Sequence, residues 1–310
     1  MNYTEFTRAR RFKEKIAVNI LKSIALISIL TTISILFFLF YETFNFFTTE
    51  MEGGGFVKPW EFLFGTKWTP LFKPQSFGIL PLLAGTLLVT VIAVIVALIL
   101  GLSIAVFLSE YAPENIRRII KPILEVLAGI PTVVYGYFAL TFVTPIIMNI
   151  VEVFGGNIII FNALSAGLVM GLMITPMVST ISEDALISVP QQLRDASYAM
   201  GAKKFQTAFR VVVPAALSGI SASVILGISR AIGETMIVTI AAGSTPNFTL
   251  NPLESIQAMT AFIVQISLGE APHGSLEYTT IFAVGLVLFL MTLSLNIIGK
   301  WLVNKYSENY

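Results

Sequence analysis

A chain of 310 residues that is 55% apolar and only 12% charged does not fit a soluble domain of its size, and belongs with proteins that cross a membrane several times. The net charge of +1 and the lack of a basic face argue against a nucleic-acid partner, and the absence of cysteine excludes disulfides and thiolate metal sites. The single histidine, His273, sits in a polar loop and reads as a surface residue, so no metal site is expected.

The basic N-terminus, residues 1–18, precedes a long apolar run with no small-residue cleavage pattern and reads as a retained signal anchor. A hydrocarbon core about 30 Å thick needs about 20 apolar residues per helix. Six stretches reach that length, at 19–46, 78–108, 121–149, 162–187, 214–243 and 279–303, and predict an all-α membrane protein. Between the first two, the loop 47–77 contains "GGG" and "KPWEFLFGTKW", where Trp60 and Trp68 are expected to anchor a short helix at the membrane surface.

The third span carries Pro131 and the fourth Pro176; each either kinks a helix beside a pathway or serves packing alone. Glu125, in "KPILEVLAG", belongs either to a buried interface or to the cytoplasmic surface, and the spacing of Met170, Met173 and Met177 reads as packing. Residues 189–214 form a loop, and 304–310 a tail. In 244–278, which lacks Lys and Arg, residues 253–270 predict a short amphipathic or re-entrant helix rather than a seventh span.

Placing the N-terminus in the cytoplasm puts fifteen of the nineteen Lys and Arg inside. Only Lys58, Lys67 and Lys73 then lie outside, and Arg230 lies within the fifth span. The expected topology has both termini inside, with 47–77 external, the core 78–303 spanning, and 189–214 cytoplasmic.

Arg230 and Glu234 are the most informative ionisable residues in the spans. Charges near the bilayer centre usually face a protein interior or a water path, and residues four apart share one helix face. The pair therefore reads either as part of a substrate pathway or as a structural ion pair that locks helix packing. Beside it, Gly219, Ser223, Gly227 and Ala231 repeat every four residues, a stripe of small side chains that permits close helix approach.

The stretch "VPQQLRDASYAMGAKKFQTAFRVVVPAALSGI" predicts a short amphipathic helix, a turn at Gly201, and a new helix begun at Pro214. It resembles the cytoplasmic coupling motif of the permease subunits of ATP-binding-cassette importers, with Asp195, Ala196, Ser197, Gly201, Val211, Val213 and Pro214 at the motif's spacing. Asp195 replaces the usual Glu and Ser197 the usual second Ala. The resemblance implies the six-span type I importer (MetI-like) permease fold, and a short helix that docks on an ATPase subunit and passes its closure to the membrane helices. The chain itself lacks a G-x-x-x-x-G-K-[ST] loop, so it is not expected to be an enzyme, and ATP and Mg would be bound by a separate ATPase.

From about Phe77 onward, "FGILPLLAGTLLVTVIAVIVALILGLSIAVFLSEYAP", "LEVLAGIPTVVYGYFAL" and "SRAIGET" resemble the permeases of the phosphate-specific transporter, its C subunit more than its A subunit. That resemblance implies a cell-membrane importer of inorganic phosphate. Its partners would be a second (PstA-like) permease, a pair of PstB-like ATPase subunits and an external PstS-like phosphate-binding protein. A permease for molybdate or sulfate, and a secondary transporter or channel using Arg230 and Glu234 directly, are the alternatives.

Overall fold

The computed structural model describes residues 3–51 and 54–306; the side chains up to Lys13, Gly53 of the triple glycine and tail residues 307–310 lie outside the described residues. In chain order the helices are α1 (Tyr3–Thr48), α2 (Pro59–Phe64), α3 (Leu80–Val106), α4 (Glu114–Gly129), α5 (Thr132–Val153) and α6 (Ala163–Ser188). There follow α7 (Gln191–Ala199), α8 (Lys204–Ala215), α9 (Leu217–Ile232), the π-turn α10 (Val238–Ala242), α11 (Met259–Gly269) and α12 (Leu276–Tyr306). The strands β1 (Trp68–Thr69) and β2 (Ser76–Phe77) make one small antiparallel hairpin. Among the described residues five helices are long and apolar enough to cross a membrane, and there are six if the bent pair α8–α9 is counted as one span.

The most extensive helix pair is α3 with α6. Ala93 and Ala97 of α3 and Ala166 and Val169 of α6 are fully or almost fully buried between them. Small side chains suit this position because lipid supplies no hydrophobic drive, and association depends on how closely backbones approach. Asn162 caps α6 by accepting from the Ser165 amide at 2.8 Å. Helix α9 packs on α6, α3 and α12, while α1 lies at the edge against α12 with most of its apolar surface uncovered.

Three expectations change on folding. The stretch 121–149 is not one span: α4 is a separate amphipathic helix, and α5 starts at Thr132. Pro131 stands between them because a residue before proline, here Ile130 at ψ 130°, is pushed out of the helical region. Pro176, by contrast, lies inside continuous α6. The stretch 214–243 is also interrupted: α8 and α9 meet at a 70° bend, located at Ala216 rather than Pro214, and α9 ends at Ile232 before α10 begins. Finally, Trp60 is exposed as expected of an anchor, but Trp68 is only 2% exposed and packs edge-on against Phe262 of α11 at 4.9 Å. Phe62, Trp68 and Phe77 of the loop are buried in one cluster with residues of α11 and α12, while Phe56, Trp60, Phe64 and Phe72 stay exposed.

The segment after α10 re-enters the core. Residues 255–258 are buried without regular structure, and the Met259 amide that opens α11 donates to Thr86 Oγ1 at 2.9 Å. Thr86 lies six residues into α3, so at about 1.5 Å per residue the segment reaches about 9 Å along that helix. Gly243 makes the turn possible: its φ is 97°, and a Cβ there would overlap Ser255 Oγ. Gly201 has φ 85° with open space around the missing Cβ. Gly201→Ala should therefore cost only the left-handed backbone penalty, about 1–2 kcal/mol, whereas Gly243→Ala should cost more because Ser255 must also move. Thermal unfolding of the two variants in detergent, ranked by loss of Tm, checks this order.

Candidate coupling and translocation sites

At the basic end of the bundle, α7 stands on α6 and the end of α3. Asp195 and Ala196 point to the surface, where Asp195 accepts from Gln191 Nε2 at 3.1 Å. Ser197 shares a 2.9 Å hydrogen bond with Thr207, tying α7 to α8. The turn closes through Gly201 N–H to Tyr198 O and Ala202 N–H to Ser197 O, as its left-handed glycine requires. Val211 and Val213 are half-buried and Pro214 exposed, while Val212 between them is fully buried. Tyr198, Met200, Phe205 and Phe209 leave an apolar patch uncovered beside this turn.

Two charge clusters here escaped the sequence reading. Arg194, immediately before the motif, is 9% exposed and binds Glu110 Oε1 through Nε (3.2 Å) and Nη2 (2.8 Å). It also donates to Val189 O at 2.6 Å and Leu186 O at 2.8 Å, satisfying carbonyls at the C-terminal end of α6. Glu183 of α6 is 1% exposed and receives Lys121 at 3.1 Å and Arg117 at 3.6 Å from α4. The available signal was Glu183 itself, a carboxylate inside an apolar helix, but its partners lie more than sixty residues away. Glu125 is exposed on α4 and joins neither cluster.

Arg230 and Glu234 do meet, at 2.7 Å, although they do not share a continuous helix. Arg230 lies in the last turn of α9; Glu234 lies just beyond the helix end, where its Oε1 accepts from the amides of Met236 (3.1 Å) and Ile237 (3.4 Å) and so caps the next helical turn. Their environments differ: the Glu234 side chain is 2% exposed and that of Arg230 42%. The guanidinium also donates to Met173 Sδ at 3.6 Å, so Met173 supports the charge as well as packing. The small-residue stripe faces α6. Gly219 leaves no room for a Cβ against Ala185, and Ser223 bonds Ser182 at 2.8 Å. This packing fixes the Arg230 end of α9 and leaves its cation on an uncovered face. Among the described residues no group of acidic or histidine side chains could hold a metal ion.

Apolar helices packed around a segment that re-enters the core, with a short surface helix braced on the bundle, are the architecture of a polytopic membrane protein. The chain belongs to the binding-protein-dependent transport system inner membrane component family, whose model matches residues 97–308. It is 33% identical to the probable ABC transporter permease protein YqgH of Bacillus subtilis, over 92% of this chain and 89% of that one. It is 29% identical to the phosphate transport system permease protein PstC of Xylella fastidiosa, over 80% and 79% of the two chains. Against PstC 1 of Mycobacterium tuberculosis the identity is 32%, over 75% and 74%. Among solved structures, an inward-facing MetNI methionine ABC transporter superposes with a TM-score of 0.56 at 17% identity, covering 72% of this chain and 94% of that one. A bacterial ABC transporter that imports alginate superposes with a TM-score of 0.56 at 13% identity, covering 74% and 79%. These likenesses establish the fold of an ABC importer permease.

Removing the Glu183 charge leaves Arg117 and Lys121 without their buried counter-charge. A fully buried pair broken in this way costs about 3–5 kcal/mol, but cations that are a third exposed can regain water, so about 1–3 kcal/mol is expected for Glu183→Gln. Thermal unfolding of Glu183→Gln beside Glu125→Gln checks it; the second variant, with an exposed side chain, should be neutral.

Proposed function

We propose that this chain is one of two permease subunits of an importer of inorganic phosphate, embedded in the cell membrane with both termini in the cytoplasm. The observation that carries the substrate is the set of relatives named PstC, matched over about four fifths of this chain. The chain does no covalent chemistry. A separate pair of ATPase subunits binds ATP and Mg, and an external phosphate-binding protein delivers the cargo to the loops around α2 and α11. Asp195, Ala196, Ser197 and Gly201 present α7 to an ATPase subunit, and Val211, Val213 and Pro214 carry the chain from there into the fifth span.

Arg230 suits a phosphate path because its planar guanidinium makes paired, charge-assisted bonds to oxyanions. Its uncovered face is where a second permease would complete the pathway. A lone cation would hold the anion too well for conduction. Glu234, already bonded to Arg230 and held by two backbone amides, competes for the same guanidinium and lets the anion go.

In cells lacking other phosphate uptake systems, the assembled complex should import radiolabelled phosphate, and excess sulfate or molybdate should not compete. Arg230→Gln should abolish uptake with the complex intact. Glu234→Gln should reduce it, since a glutamine carbonyl can still accept from the Met236 and Ile237 amides but no longer balances the guanidinium. If the double variant Arg230→Met with Glu234→Gln assembles and transports at the normal rate, the pair is a packing device and the pathway role is lost.

Topology is open to thiol labelling because the native chain has no cysteine. In intact cells Phe72→Cys and Leu250→Cys, both at exposed positions, should react with an impermeant reagent, and Lys203→Cys should not. Labelling at Lys203 would reverse the orientation.

A further inference from the structure

Whatever docks on α7 can move the membrane helices only through the contacts that α7 makes with them, and those contacts are few. Most of the helix faces outward, and Arg194 is its buried residue. That one side chain reaches two spans at once. Its Nε and Nη2 hold Glu110, in the π-turn Phe107–Tyr111 that ends α3, while Nη1 and Nη2 hold the Val189 and Leu186 carbonyls at the end of α6. Helices α3 and α6 are the central pair of the bundle. Met173, which touches Arg230, lies thirteen residues before Leu186 on α6, about 20 Å away at 1.5 Å per residue. The remaining contacts of α7 are apolar or neutral: Leu193 packs on the cluster around Leu186 and Val212, and packing against α8, with the Ser197–Thr207 hydrogen bond, leads to the 70° bend.

We propose that Arg194, held by Glu110, is the positioning residue through which movement of α7 is passed to α3 and α6, and so to the region of Arg230. Only an arginine does this here. Its planar fork bonds the carboxylate and both carbonyls from one rigid group, whereas a lysine is a point charge that cannot hold all three. The proposal rests on the importer reading above for the identity of what moves α7.

The experiment uses the reconstituted complex with its ATPase and loaded binding protein. Arg194→Lys and Glu110→Gln should assemble with the ATPase as the parent does and keep their hydrolysis of ATP, while phosphate imported per ATP falls at least tenfold. A support that is merely structural predicts otherwise: hydrolysis and uptake would fall together, in step with the amount of assembled complex, and that result overturns the proposal. So does an unchanged ratio. A second readout does not depend on the substrate. Gly233→Cys, where an added Cβ meets only Ser229 O at 3.6 Å, reports exposure of the Arg230 region to a thiol reagent with and without a trapped ATP analogue. In the parent background its reactivity should change with nucleotide, and the Arg194→Lys background should lose that change; an equal change in both overturns the joint. If the parent imports no phosphate at all, the phosphate reading fails while the thiol measurement still decides the role of Arg194.

Discussion

A polypeptide in hydrocarbon has no water to bond its N–H and C=O groups, so any stretch that is not helical has to be buried in protein and satisfied there. This chain carries two irregular stretches that reach into the bundle, residues 233–235 and 255–258, and the architecture is arranged around them. Backbone bonds run from Asn162 to Ala241, from Ala163 to Glu254, from Leu164 to Pro252 and from Ile256 to Ala242. Thr86 and Thr260 supply side-chain partners, the latter donating to Glu234 O at 2.8 Å. The cap of α6, the end of α9 and the start of α11 are thereby tied together. At the interruption that frees Glu234 to cap a new turn, its amide bonds Ala231 O and its carbonyl accepts from Thr260.

The same constraint separates the roles of the two ends. At the Arg230 end the polar atoms belong to irregular backbone, and the one prominent charge pair is asymmetric, with a buried carboxylate and a half-exposed guanidinium. At the α7 end the polar atoms belong to long side chains that bridge helices: Arg194 with Glu110, and Glu183 with Arg117 and Lys121. Breaking a buried ion pair costs more than forming it contributes, because the remaining charge is stranded. Such bridges therefore resist separation of the helices they join.

Between these ends, α3, α6 and α9 pack through alanine, glycine and serine. Close approach of backbones supplies dispersion contacts where lipid offers no hydrophobic gain. The apolar surfaces of α1 and α5 remain uncovered, as expected of helices that meet lipid or a second subunit.

Hydrophobic run length, Lys and Arg placement, the small-residue stripe and the spacing from Asp195 to Pro214 were legible in the sequence because each is a local or periodic property of the chain. They were enough for the all-α class and the family. What they could not contain is pairing between distant residues. Glu183 and Lys121, or Arg194 and Glu110, become partners only when α4 and α7 fold back on the bundle. The apolar run 214–243 reads as one helix by composition, yet it bends at Ala216 and breaks after Ile232, where Thr260 of α11 takes up the Glu234 carbonyl that a continuous helix would have bonded to its own next turn. Trp68 likewise has the character of a surface anchor and the position of a core residue, since the hairpin that carries it places its ring against Phe262. Sequence determined which residues were fit to cross a membrane; only tertiary structure decided where the chain could afford to stop being a helix, because that depends on partners brought from elsewhere.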